Sequence, residues 1–172
     1  MSTRDKSDFK QQDFLQAVII ADSYNYRYAP LTNYRPRALL PLVNSTLLEF
    51  TLQCLHHSDS GVKEAIVYCS SHADQIKKYL DNNHWSDGSM RMKITPIVSE
   101  GCISVGDALR DLDSKGILKS DFVLVYGDLV SNVGLKSIVE KHKLRRQQSK
   151  GLAMTMVFTE GPPGKPIKVY HR

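Results

Sequence analysis
The chain has 172 residues, 41% of them apolar and 24% charged, with a net charge of +5. That length suits one domain with its own core, and the composition is ordinary for a globular protein. No apolar run approaches the roughly 18 to 20 residues that span a bilayer, and three scattered cysteines without a CxxC pair, beside histidines without ligand spacing, give no metal-site pattern.

Residues 1–15 mix both charges and resemble neither a signal nor a transit peptide, so they are expected to form a flexible polar arm. Ala17 to Ala21 (AVIIA) is the apolar run of a strand buried on both faces. After a long turn, Thr46 to Ser58 places Leu48, Leu52 and Leu55 at helical spacing, with Asn44 or Ser45 available as the N-cap. Ala65 to Cys69 reads as a second strand. Ser70 to Asn83 reads as a second helix with Ile76, Tyr79 and Leu80 on one face.

Lys93 to Val98 is a third strand whose Pro96 removes a backbone donor and points to a sheet edge or a bulge. Val105 to Gly116 is a helix with Ala108, Leu109 and Leu112 inward and Gly116 as its C-cap. Asp121 to Asp128 is a fourth strand running into Gly127-Asp128. A helix from about Leu135 to Gln147 is expected to bury Leu135, Ile138 and Val139, and Leu152 to Phe158 to form a fifth strand. Gly161 to Pro166 cannot continue that strand, and the strand-like IKVYH beyond it has no partner. The chain therefore reads as the amino-terminal piece of something larger.

The basic run Glu140 to Lys150 fits a solvated helix face or a patch for an acidic protein. No aromatic residues interleave as stacking platforms, so direct nucleic-acid binding is not expected. Cys54 and Cys69 sit in apolar patterns as small hydrophobes, and reduced thiols point to the cytosol.

Alternating strands and helices predict an α/β, Rossmann-like, mostly parallel mixed sheet with helices on both faces, truncated at its C-terminal side. In such sheets ligands lie beyond the carboxyl ends of the strands. The loops after Ala21 and Val98, and the Gly127-Asp128 pair, should therefore surround one cleft.

The first of these loops resembles that of the sugar nucleotidyltransferases, which join a nucleoside triphosphate to a sugar 1-phosphate. The family pattern is an apolar strand, G-G-x-G-T-R-L-x-P-L-T, then P-K-P-L-L-P. Here Arg27, Pro30, Leu31, Thr32, Pro36, Leu39, Leu40 and Pro41 match, while Asp22, Ser23 and Asn25 replace the glycines and Arg37 replaces the lysine. Glycines admit positive φ and bring bare amides against a phosphate. A carboxylate about 4 Å from a phosphate charge costs roughly 4 kcal/mol at an effective dielectric of 20, close to a thousandfold in affinity. The family's second loop, G-T-A-G-A-L, reads here as Ser104-Val105-Gly106-Asp107-Ala108-Leu109, with Asp107 where a small residue belongs. Gly127-Asp128 is intact; the resemblance implies that this aspartate would help hold magnesium in active relatives, with a second metal-binding aspartate beyond Arg172. One carboxylate alone is a weak magnesium site.

The runs QAVIIADSYNYRYAPLT, PRALLPLVN, SSHADQIKKYL and VGDALRDLDSKGILKSDFVLVYGD, with HKLRRQQ, narrow the resemblance to the epsilon subunits of eukaryotic translation initiation factor 2B. It covers roughly Gln16 to Phe158. It implies a degenerate nucleotidyltransferase-like domain over residues 16–172 whose β-helix and exchange-catalysing HEAT domains lie elsewhere, in the guanine nucleotide exchange factor of initiation factor 2. The implied partners are the gamma and beta subunits and initiation factor 2, with no membrane.

On this reading no catalytic residue, metal ligand or cofactor is assigned. A vestigial nucleotide pocket remains, formed by Asp22, Ser23, Asn25, Arg27, Arg37, Gly106, Asp107, Gly127 and Asp128. Arg27 and Arg37 can either pair with phosphate or tie the loop down through carboxylates. A regulatory nucleotide or sugar-phosphate site and a working nucleotidyltransferase remain as alternatives. Tyr24, Tyr26, Tyr28 and Tyr34 crowd the first loop, either as a protein-contact surface or as filling for the space of a lost ligand.

Overall fold
The computed structural model describes residues 14–22, 24, 28–57, 59–83, 85, 92–149 and 151–158. The chain divides into two compact units, Met1–Ser137 and Ile138–Arg172. The first is built on a four-stranded parallel sheet in the order β5-β4-β1-β6.

Its strands are β1 (Leu15–Ile20), β4 (Val62–Cys69), β5 (Lys93–Val98) and β6 (Phe122–Tyr126). β1 begins two residues before the predicted Ala17 and stops one short of Ala21, so Leu15, assigned from sequence to the arm, is already in the sheet. β4 starts three residues earlier than expected. Pro96 lies opposite Val67 on β5, which is an edge strand, so the missing amide breaks no second ladder.

β1 and β4 are central, and Leu15–Ile20 and Ala65–Cys69 are buried on both faces. Val18, Ile20, Ile66 and Tyr68 form one face with Ala108 and Leu112 of α3 (Val105–Ser114) closed over them. Ala17, Ile19, Ala65 and Val67 point the other way and are fully buried. From β1 the chain moves through α1 (Leu47–His57) to β4 and through α2 (Ala73–Asp81) to β5, then returns through α3 to β6 on the far side of β1. Right-handed crossovers therefore put α1 and α2 on one face and α3 on the other. The reversal creates a switch point between β1 and β6, where a cleft is expected.

Local chemistry sets the helix ends. Thr46, rather than Asn44 or Ser45, caps α1, its Oγ1 accepting the Glu49 amide at 3.2 Å. Asn44 is instead part of the turn between β2 (Pro41–Leu42) and β3 (Ser45–Thr46), a two-stranded ribbon that periodicity did not reveal. Gly116, with φ +62, follows the C-cap Lys115, and its amide and that of Ile117 bond back to Asp113 and Leu112 at 2.9 and 3.2 Å. Gly116 is thus the left-handed residue after the cap.

Two expectations fail toward the C-terminus. In α4 (Leu135–Gln148) only Leu135 is buried, and Ile138 and Val139 are half-buried, because the helix beyond them is polar and charged nearly all round. Leu152 to Phe158 form no strand and pair with none among the described residues. Apolar content supplies strand propensity, but a strand also needs a ladder partner. Within the second unit, His142 Nδ1 lies 2.9 Å from Thr155 Oγ1. The Gly161–Pro166 turn, IKVYH and most of the N-terminal arm lie outside the described residues.

Candidate functional site: the vestigial nucleotide pocket
Asp22 stands directly beyond β1 and Gly127-Asp128 directly beyond β6, and the Gly127 amide donates to the Ile20 carbonyl at 2.8 Å. The switch point thus brings these residues together. Gly127 is there for packing: a Cβ on it would lie 3.2 Å from both Ala21 Cα and Ala38 Cβ. The loop beyond it is fixed from α1, where the buried Thr51 hydroxyl donates to the Leu129 carbonyl at 2.9 Å. Sequence reasoning missed Thr51, since a threonine inside a helical pattern carries no sign of a distant carbonyl.

Asp22 is 6% exposed and its carboxylate is turned toward the loop after β4. Its carboxylate accepts the Ser70 amide at 2.5 Å and hydroxyl at 2.9 Å, and the Ser71 amide at 3.2 Å and hydroxyl at 2.6 Å. The substitution laces the β1 loop to the β4–α2 loop. Ser70 and Ser71, read from sequence only as the start of a helix, precede α2 and are its counterparts.

Arg37 follows Pro36 in a 3-10 turn (Arg37–Leu39) packed near the start of α1. Its guanidinium forms an ion pair with the Asp128 carboxylate, and both side chains are mostly buried. The same guanidinium lies over the Tyr28 ring, 4.8 Å from its centroid. Of the two readings for Arg37, the geometry adopted is the tie to a carboxylate, and that carboxylate is the one the resemblance connects with magnesium.

Gly106 and Asp107 occupy the first turn of α3. Gly106 has room for a Cβ, the nearest atom being an Arg110 nitrogen at 3.5 Å. Ser104 caps α3 and is held by Asp107: Ser104 Oγ accepts the Asp107 amide at 3.1 Å and donates to its carboxylate at 2.7 Å, and Arg110 adds an ion pair at 2.6 Å. The Ser104 hydrogen bond and then Arg110 hold the Asp107 carboxyl below its usual range. Lys115 and the Tyr68 hydroxyl do the same for Asp111.

Tyr24, at φ 47, packs with Ile97, Cys102, Val105 and Leu109 against the cluster under α3. Its phenol is pushed up to about 12, first by burial and then by Asp22, with smaller contributions from Cys102 and Asp107. Tyr28 and Tyr34 instead point outward and are exposed. Of the described first-loop tyrosines, one is thus packed inward and two face solvent. Ser23, Asn25, Tyr26 and Arg27 lie outside the described residues.

Each substituted position that the structure describes has an internal partner. Asp22 holds two serines, Arg37 holds Asp128, and Asp107 holds its own helix start. Among the described residues, no three His, Cys, Asp or Glu side chains gather as a metal site.

No protein-family model matches the chain. It is 47% identical over 154 residues, 90% of its length, to the translation initiation factor eIF2B subunit epsilon of Schizosaccharomyces pombe. It is 41% identical over 151 residues, 88% of its length, to the subunit of the same name from Dictyostelium discoideum. The chain spans only 22% and 21% of these two relatives. Among solved structures, a UDP-glucose pyrophosphorylase complexed with UDP-glucose shares the fold with a TM-score of 0.59 at 14% identity, over 77% of this chain and 54% of that one. On the fold of a nucleotidyltransferase, and over the part of their length that it matches, the chain belongs to the epsilon subunits of translation initiation factor eIF2B.

Proposed function
We propose that the chain is a non-catalytic assembly and docking domain of the epsilon subunit of eIF2B. Residues 16–172 form the nucleotidyltransferase-like domain, residues 1–15 an arm, and the guanine nucleotide exchange activity belongs to another part of the subunit. The observation that carries this reading is the Arg37–Asp128 ion pair. It puts a fixed guanidinium on the carboxylate through which a magnesium-dependent transfer would work. The packing of Tyr24 against the cluster under α3 and the capture of Asp22 by Ser70 and Ser71 support the same reading. The partners are the gamma and beta subunits and initiation factor 2, in the cytosol.

Two assays on the 172-residue chain test it. It should not accelerate GDP release from initiation factor 2, and it should not release pyrophosphate from nucleoside triphosphates mixed with sugar 1-phosphates and magnesium. Clear acceleration of GDP release sinks the scaffold reading. Pyrophosphate release with micromolar nucleotide binding revives the enzyme.

A further inference from the structure
The β2–β3 ribbon, α1 and the end of α2 border a cavity of about 510 Å³ that opens to solvent. That size lies within the usual range of small-molecule sites. Its walls share no residue with the vestigial nucleotide pocket. Glu49 of α1 lines it and is only 5% exposed. The Glu49 carboxylate accepts the Tyr79 hydroxyl at 3.0 Å, the Trp85 indole at 2.7 Å and the Gln53 amide at 3.0 Å. The Thr46 hydroxyl in turn donates to Tyr79 at 2.9 Å. These bonds order one side of the cavity before anything enters it.

Other groups in the walls are available to a guest. Asn44 is exposed and Ser45 half-buried, and neither side chain has a hydrogen-bond partner among the described residues. Gln53 spends its NH2 group on Glu49 and keeps its side-chain carbonyl as an acceptor. An amide NH2 donates, a carbonyl accepts, and a hydroxyl does both. Among the described residues no Lys, Arg or His lines the cavity, so an anion meets no counter-charge. A cation, which only donates, leaves the Asn44 NH2 without an acceptor. Pro41 and Val43 are the aliphatic side chains in the walls, too few for a hydrocarbon guest. The geometry points to a site for a neutral polyhydroxylated molecule of monosaccharide size, each of whose hydroxyls both donates and accepts.

Val43 gives this site a wall that the core does not need. Leu42 pairs with Ser45, so Val43 and Asn44 form a two-residue hairpin turn. Val43 has φ +57, in the first central position, where such a turn favours glycine, and it is 94% exposed. A β-branched side chain in that conformation is strained. Strain kept at a solvent-facing residue fits a contact made outside the core.

The intact subunit tests this by saturation-transfer NMR and calorimetry, with glucose and myo-inositol as probes. Glucose 1-phosphate and spermidine are the anionic and cationic comparators. At least one neutral probe should bind saturably. Asn44→Ala combined with Ser45→Ala should weaken it roughly tenfold or more without lowering the melting temperature. If that double variant melts lower, Gln53→Met, which keeps the side-chain length and removes the carbonyl, should show the same loss. Val43→Gly should melt no lower than the unaltered subunit, since it relieves the turn, yet bind the probe more weakly. Three results overturn the inference: no saturable binding of either neutral probe, unchanged affinity in the folded variants, or a comparator that binds as tightly and is weakened by the same variants. The assembly reading stands in each case, because the cavity has no part in it.

Discussion

Arg37 and Asp128 meet beyond the ends of β1 and β6, where the strand order reverses, so the cation paired with Asp128 is a side chain of the protein itself. The ion pair joins the segment after β1 to the loop after β6. It also gives Asp128 a structural use that does not depend on any ligand.

A double-mutant cycle measures that use. Side-chain exposures of 24% and 19% place the pair between a surface bridge and a fully buried one. We expect a coupling of about 1–2 kcal/mol between Arg37→Ala and Asp128→Ala in urea denaturation. Additive single effects would mean that the pair contributes little.

Restoring the family's glycine should harm this chain. Asp22→Gly removes the acceptor of the half-buried Ser70 and the exposed Ser71, and a loss of about 1–2 kcal/mol is expected in thermal or urea unfolding. Calorimetry should show no new affinity for nucleoside triphosphate with magnesium, because Arg37 still covers Asp128. A variant that is stable and binds nucleotide would show that Asp22 alone had closed the site.

Gly127 offers a test of packing rather than chemistry. Gly127→Ala forces a Cβ against Ala21 and Ala38, both at 3.2 Å and neither able to rotate away. The expected cost is about 1–3 kcal/mol by denaturation. Gly106→Ala meets only the far end of Arg110 at 3.5 Å and should be neutral or slightly stabilising, as expected for a glycine inside a helix. Equal effects at the two positions would contradict the packing account.

Tyr24 makes stability depend on alkaline pH. Its phenol is raised from 10.0 to about 12 by burial first and Asp22 second. Below about 10 both folded and unfolded states keep the proton. Between about 10 and 12 only the unfolded state releases it, so stability falls as pH rises. Urea midpoints compared at pH 9 and pH 11 should fall less in Tyr24→Phe than in the unaltered chain, by no more than about 1 kcal/mol because the ring is partly exposed. An identical fall in both would place the phenol in solvent.

Much of the fold was legible because its signals are local. AVIIA and AIVYC are apolar runs that only a doubly covered strand accommodates, and their alternation with Leu48-Leu52-Leu55 and Ala108-Leu112 dictates crossovers of one hand. Pro96 marked an edge because a missing amide is tolerated there. The Leu152–Phe158 segment misled for the opposite reason: its composition suits a strand, but pairing depends on what lies beside it.

The sequence by itself determined the parallel sheet and the positions at which this chain departs from the family's glycine pattern. Only the tertiary structure decided what the replacements do. Asp22 to Ser70 and Ser71, Arg37 to Asp128, and Tyr24 against the cluster of β1, β4 and α3 are contacts between residues far apart in the chain. No periodicity encodes which carboxylate an arginine will reach. That choice is fixed when the crossovers bring the ends of β1, β4 and β6 side by side, and burial then makes an unpaired charge too costly to leave.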